Sequence, residues 1–295
     1  MKRIVLGLLT AGLLAATDGL AADKKIVFIA GPISHGPGEH EHRAGCLLLK
    51  SCLDKASGVT SAVYSNGWPA DVSVFEGAST IVIYSDGGGG HPFLREDRLK
   101  TLGALMEKGV GLVAIHYAVE PTKEKGQNEF LDWMGGAFEI HWSVNPHWDA
   151  DFKTLPRHPI TQGVNPFKIR DEWYFNMRFR EGMKGVTPIL SAIPDSSTTN
   201  RNDGAHEGNP AVRGIVAKGE PVTVAWAAER ANGGRGFGFT GAHFHKNWAN
   251  DDFRKLVLNA ILWTAKADVP KAGVLSAVTE GQMLENLDPK PPRRR

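Results

Sequence analysis

Only two cysteines, Cys46 and Cys52, occur in the 295 residues, too few for a fold stapled by disulfides. Charge of one sign is not in excess either. Lys and Arg number 34 against 32 Asp and Glu, a formal net charge of +2, which withholds the basic face that a nucleic-acid grip requires. Beyond the first 22 residues no apolar run approaches the roughly 20 residues of a membrane span. With 42% hydrophobic and 22% charged residues, the chain is neither disordered nor fibrous. Its length suits one large α/β domain or two small ones. What is plentiful is glycine (34), histidine (11) and tryptophan (8). Permissive backbone, coordinating rings and flat aromatics in such numbers suggest a site built from loops.

The N-terminus has its own pattern. Lys2 and Arg3 precede an apolar run from Ile4 to Ala16, and Gly19-Leu20-Ala21-Ala22 ends it with small residues. This is the layout of a secretory signal peptide over residues 1–22. The mature protein is then expected to be periplasmic or otherwise exported, and not membrane-bound after cleavage. Cys46 and Cys52 fall in a stretch, 43–56, that reads as a helix. Six residues along a helix separate two Cα atoms by about 9 Å, beyond the roughly 7 Å that a disulfide allows. Two free, buried thiols are expected.

Short apolar runs at 25–30, 59–64, 80–84 and 110–115 read as strands, with helical spacing at 43–56 and 94–108. Strand and helix alternating in this way specify a parallel sheet with helices on both faces. The stretch 120–209 is irregular and reads as short strands and long loops at one sheet edge. Strand patterns return at 222–227 and 236–240. A last helix follows, capped by Asn250 or Asp251, with Phe253, Leu256, Val257, Ala260 and Ile261 on one face. The expected organisation is a signal peptide (1–22), one α/β domain (23–267) and an extended tail (268–295) rich in proline and ending in three arginines. There are no internal repeats.

In an open parallel sheet, ligands bind beyond the carboxyl ends of the strands. His35, His40, Glu41 and His42 follow the first strand. Asp86, four glycines and His91 follow the third; His116, Tyr117 and Glu120 follow the fourth; His243 and His245 follow the last. Six of the eleven histidines therefore occupy three strand-end loops, a convergence that scattered core histidines would not produce. Imidazole and carboxylate suit zinc, manganese or iron, and His35, His40, His243 and His245 are the candidate ligands, although no HExxH spacing is present. The Asp86–Gly90 loop has neither a P-loop lysine nor GxGxxG order, so no nucleotide is expected; its glycines would let backbone approach a ligand closely. Trp142, Trp148, Trp173 and Trp248 lie beside polar residues, a combination apt for sugar rings as well as for core packing.

The segments His35-Gly36-Pro37-Gly38-Glu39-His40-Glu41, Asp86 to Pro92, Leu112 to Tyr117, His141-Trp142, Asp171 to Tyr174 and Gly238 to His245 together resemble the ThuA-like (trehalose utilisation) family, over 25–265. The resemblance implies a flavodoxin-like fold of the class I glutamine amidotransferase-like type. Amidotransferases carry a cysteine nucleophile in the turn where this chain has His116, so amidotransferase chemistry is not expected. The resemblance also implies a role in sugar catabolism, on 3-keto derivatives of disaccharides or other glycosides. A ketone at C3 acidifies the C2 proton, so a base could remove it and expel the C1 substituent by elimination, with hydration to follow; a metal or N–H donors would stabilise the enolate. Catalytic candidates are Glu172 or His116 as base, with Glu41 or a neighbouring histidine as proton donor. Substrate-binding candidates are Tyr117, His91, His141, Trp142, Trp173 and Trp248. Two other readings stay open: a non-catalytic carbohydrate-binding protein, and a two-carboxylate glycosidase using Glu41 and Glu172.

Overall fold

The computed structural model describes residues 23–291; the signal-peptide reading lies outside the described residues. Strands β1 (Lys24–Ala30), β2 (Val59–Tyr64), β3 (Ala78–Tyr84) and β4 (Gly111–Ile115) alternate with helices α1 (His42–Leu53) and α2 (Arg98–Glu107). Next come α3 (Gln127–Met134), the two-residue strand β5 (Gly136–Ala137), and the strands β6 (His147–Phe152) and β7 (Phe167–Glu172). The chain continues through β8 (Arg178–Phe179), β9 (Val186–Ala192), α4 (Pro210–Ala217), β10 (Val222–Glu229), β11 (Arg235–Phe239), α5 (Asp251–Thr264) and α6 (Glu280–Leu284).

Seven strands form the main sheet in the order β2-β1-β3-β4-β11-β10-β9. The five from β2 to β11 run parallel, and β10 is antiparallel to both of its neighbours. The parallel part has the flavodoxin-like order 2-1-3-4-5, whose switch point lies between β1 and β3. The sheet is buried on both sides, which is why its strands read as nearly continuous apolar runs. Ile26, Phe28 and Val82 pack towards α1 and α5, whereas Val27, Ile29, Ile81 and Ile83 pack towards α2 and α3. The period of two divides one run of residues between two cores.

Asn250 caps α5 as expected, its side chain accepting from the Phe253 amide at 3.0 Å, while Asp251 and Asp252 favour the positive end of the helix. Cys46 and Cys52 are free and buried in α1, and burial pushes the Cys46 thiol up. A thiol reagent should therefore find neither cysteine in the native protein and both after denaturation without reductant; a count of zero in denaturant would contradict the assignment.

The C-terminal stretch is extended up to α6, yet it does not leave the domain. After α6 it runs back over the loop between β1 and α1, where Lys290 and Glu41 form an ion pair of 3.2 Å with both side chains buried. Lys290 also donates to the carbonyls of Glu39 and His40, and the Asp288 amide donates to Glu41 at 2.9 Å.

Candidate functional site

The loops beyond the carboxyl ends of β1, β3, β4 and β11 meet at one end of the sheet. There His40 contacts Asp86 across the β1/β3 switch point at 2.7 Å. The antiparallel hairpin β6–β7, which pairs His147 with Glu172, reaches in from outside the main sheet. Several site residues sit in the left-handed backbone region: His35 (φ +56°), His40 (+45°), His116 (+58°) and Ala242 (+81°). Such conformations cost about 1–3 kcal/mol each in residues other than glycine. Here they turn the chain sharply at strand ends, so that the side chains face inward. Gly87 has a related role: a Cβ there would lie 2.2 Å from the Tyr117 carbonyl, so the glycine loop seats itself on the turn after β4. At Gly87 the close approach is to backbone.

Four side chains converge. His40 Nε2 lies 3.0 Å from His116 Nε2 and 3.1 Å from His243 Nδ1. Glu172 Oε2 lies 3.0 Å from His243 Nδ1 and 3.4 Å from His116 Nε2. The hydrogen bonds around them fix the tautomers. Asp86, as a carboxylate, can only accept, so His40 carries its proton on Nδ1. His116 Nδ1 faces the Thr240 carbonyl at 2.8 Å, another pure acceptor, so its proton is also on Nδ1. The two Nε2 lone pairs then point at each other across 3.0 Å. Protonation would relieve the clash only by burying a cation, and burial pushes the His40 imidazole down to about 2. In a tetrahedral site with ligand bonds of about 2.0–2.1 Å, neighbouring donor atoms lie about 3.4 Å apart. The four separations just given are near or somewhat below that, and all four ligand atoms lie within 4.8 Å of one another. The four could hold a divalent cation.

Their outer partners complete this chemistry. Each imidazole in a metal site ordinarily gives its second N–H to a carboxylate or a carbonyl; here Asp86 serves His40, Thr240 serves His116, and Glu39, 3.6 Å from Nε2, faces His243. Burial works against the charge of Glu172, but the imidazoles of His116, His147 and His243 beside it hold its carboxyl well below the usual carboxylate range. That makes it a better ligand than a base. Burial likewise opposes a charge on His243, yet the Glu172 carboxylate beside it raises its imidazole overall. Asp171 accepts the amides of Ala242 (2.7 Å) and His243 (3.0 Å) and so shapes the turn that presents His243. The Tyr174 hydroxyl lies 3.2 Å from His116 Nε2 and 3.3 Å from Glu172 Oε2.

A cavity of about 410 Å³ opens from this cluster, lined among others by His35, His40, Tyr117, Glu172, Tyr174, Arg201 and His206. Of the residues expected at the site, His40, His116, Glu172 and His243 come together, with Tyr117 and His35 on the cavity wall. His35 stacks on His40, ring centroids 3.5 Å apart, but stands outside the four-residue cluster. His245 turns the other way and donates to the Met283 carbonyl of the tail. Glu41 is sealed beneath Lys290, so the Glu41–Glu172 pair of a conventional glycosidase does not face the cavity. His91 is buried between the Phe93 amide and the Ala118 carbonyl as a local cap.

The tryptophans are not sugar platforms in this arrangement. Trp148, Trp173 and Trp248 are fully buried in the core, and Trp142 is covered by the Arg178 guanidinium at 3.7 Å. His141 is exposed and is tied through its backbone amide to Ala205. Residues that sequence reasoning did not single out as site members include His147, Tyr174, Arg201 and His206, whereas Asp86 was among those expected beyond the third strand.

Residues 36–264 match the family described as trehalose utilisation, ThuA. Among solved structures, a protein of Bacteroides uniformis described as ThuA-like superposes with a TM-score of 0.58 at 16% identity, over 88% of this chain and 98% of that one. A second, from Parabacteroides merdae, gives 0.56 at 14% identity, over 88% and 94%. No curated protein matches the sequence. At such identities the structures bear on the fold alone, and they agree with the mostly parallel α/β sheet. The family match spans most of the chain and takes in all four converging residues. The chain belongs to the ThuA family, a carbohydrate-related family of trehalose utilisation.

Proposed function

We propose that the protein is a metal-dependent enzyme that cleaves 3-keto-glycosides, with His40, His116, Glu172 and His243 as the ligand set. The observation that carries this reading is the convergence of these four side chains, with the Nε2 atoms of His40 and His116 3.0 Å apart and an acceptor on the other nitrogen of each. A divalent ion there would draw in the 3-oxo oxygen and take up the negative charge of the enolate formed when C2 loses its proton.

With His116 and Glu172 as ligands, the base is another group. His35 stands exposed on the cavity wall. Its Nδ1 meets Ser34 at 2.5 Å, and its Nε2 has no protein partner among the described residues. Burial, partly offset by Asp86, lowers its imidazole, leaving it neutral and able to accept the C2 proton.

The test is turnover of 3-keto-trehalose or methyl 3-keto-glucoside beside the parent, unoxidised sugars. Cleavage of the keto sugars alone is expected. Equal cleavage of the parents would make it a conventional glycoside hydrolase, and binding of either sugar without turnover would make it a carbohydrate-binding protein.

A further inference from the structure

The same cavity is lined by one member of a second ionisable pair. Glu120 is only 2% exposed, and both of its carboxylate oxygens meet His206 Nε2, at 2.9 and 3.0 Å. No arginine or lysine pairs with Glu120 among the described residues. A carboxylate taken out of water in this way needs a charged partner, and His206 is the one in contact. The hydrogen bond to Glu120 raises the His206 imidazole above its ordinary range, against the effect of burial. The ring is held in place: it stacks on Phe138 with centroids 5.2 Å apart and meets the edge of Tyr117 at 6.3 Å. With Nε2 committed to Glu120, Nδ1 has no protein partner among the described residues. The side chain remains about one-third exposed and lines the same cavity as His40 and Glu172.

We infer that His206, held by Glu120, is the proton donor to the departing glycosidic oxygen. The inference rests on the elimination reading given above. When the C2–H bond breaks, its electron pair forms the C1=C2 bond, and the C1–O bond breaks. The oxygen leaves with that bonding pair and takes the proton from His206 Nδ1. Water then adds through oxygen to C1 and returns a proton to His206, while C2 regains the one it lost. The sum is glycoside plus water giving free keto sugar plus alcohol. Glu120 touches no reacting atom and is a positioning residue.

Leaving-group dependence provides the test, because a poor leaving group needs the proton and a good one does not. His206→Gln should lose about 10²–10⁴-fold in kcat on methyl 3-keto-glucoside, the usual worth of a positioned acid. On 4-nitrophenyl 3-keto-glucoside it should lose no more than a few-fold, with metal content unchanged. Glu120→Gln should show the same pattern to a smaller degree. An equal loss on both substrates, or no loss on either, would overturn the assignment while leaving the elimination reading in place. A wild-type protein that turns over neither substrate would overturn both.

Discussion

His116→Ala should yield a folded protein that retains neither metal nor turnover of a 3-keto-glucoside. The side chain is completely buried between the Thr240 carbonyl, His40 Nε2, Tyr174 and Glu172, so it has no solvent-facing role to lose. Its removal leaves one carbonyl without a partner, at about 1–3 kcal/mol, which a domain with two cores can absorb. The loss at the site is larger, since the proposed set of four ligands would become three. Asp86→Asn separates ligand from support. It keeps His40 in place but weakens the acceptor for Nδ1–H, and changes of that kind typically cost about 10–100-fold in metal affinity. The expected order is wild type, then Asp86→Asn, then His116→Ala, measured as dissociation constant by competition with a chelator. Metal bound by His116→Ala as tightly as by the wild type would remove His116 from the ligand set.

Lys290→Met should produce the largest loss of stability of any single surface-distant substitution in the tail. Glu41 and Lys290 are buried together. Truncating the lysine leaves a carboxylate out of water with no ammonium beside it, a change that costs about 3–5 kcal/mol where one partner of a buried pair is removed. For a domain of this size that is on the order of a 10 °C fall in melting temperature. Replacing both residues, Glu41→Leu with Lys290→Met, should recover much of the loss, because an apolar pair of similar volume is often as stable as the ion pair. The Lys290 ammonium also binds the Glu39 and His40 carbonyls, so the single variant should loosen the loop carrying His40 and weaken metal retention. A melting temperature within a degree of wild type would contradict the buried-pair account.

How much of this was legible in the sequence depends on which physical rule governs each residue. The parallel sheet could be read because its strands are buried on both faces and appear as apolar runs. The rule that loops gather beyond strand ends then placed His40, His116 and His243 together. The same rule could not place Glu172 or His147 in detail, because they arrive on the antiparallel β6–β7 hairpin, and it says nothing of His206, which lies in an irregular stretch. Proximity in sequence misled where alternation decides the face. His147 is exposed and Trp148 buried because successive residues of β6 point to opposite sides; a tryptophan next to a site histidine is thereby sent to the core. His243 and His245 diverge for a related reason. They lie beyond the end of β11, and His245 opens a 3₁₀ turn, so a spacing of two does not put them on one face. The burial of Glu41 depended on Lys290, 249 residues later, a pairing no local pattern carries.

The most direct measurement is turnover of methyl 3-keto-glucoside by the wild-type protein before and after exhaustive chelation, with metal content determined on the same samples. The account predicts about one divalent ion per chain, activity that disappears when it is removed, and recovery on adding back one equivalent of zinc, manganese or iron. Undiminished turnover by metal-free protein would contradict it.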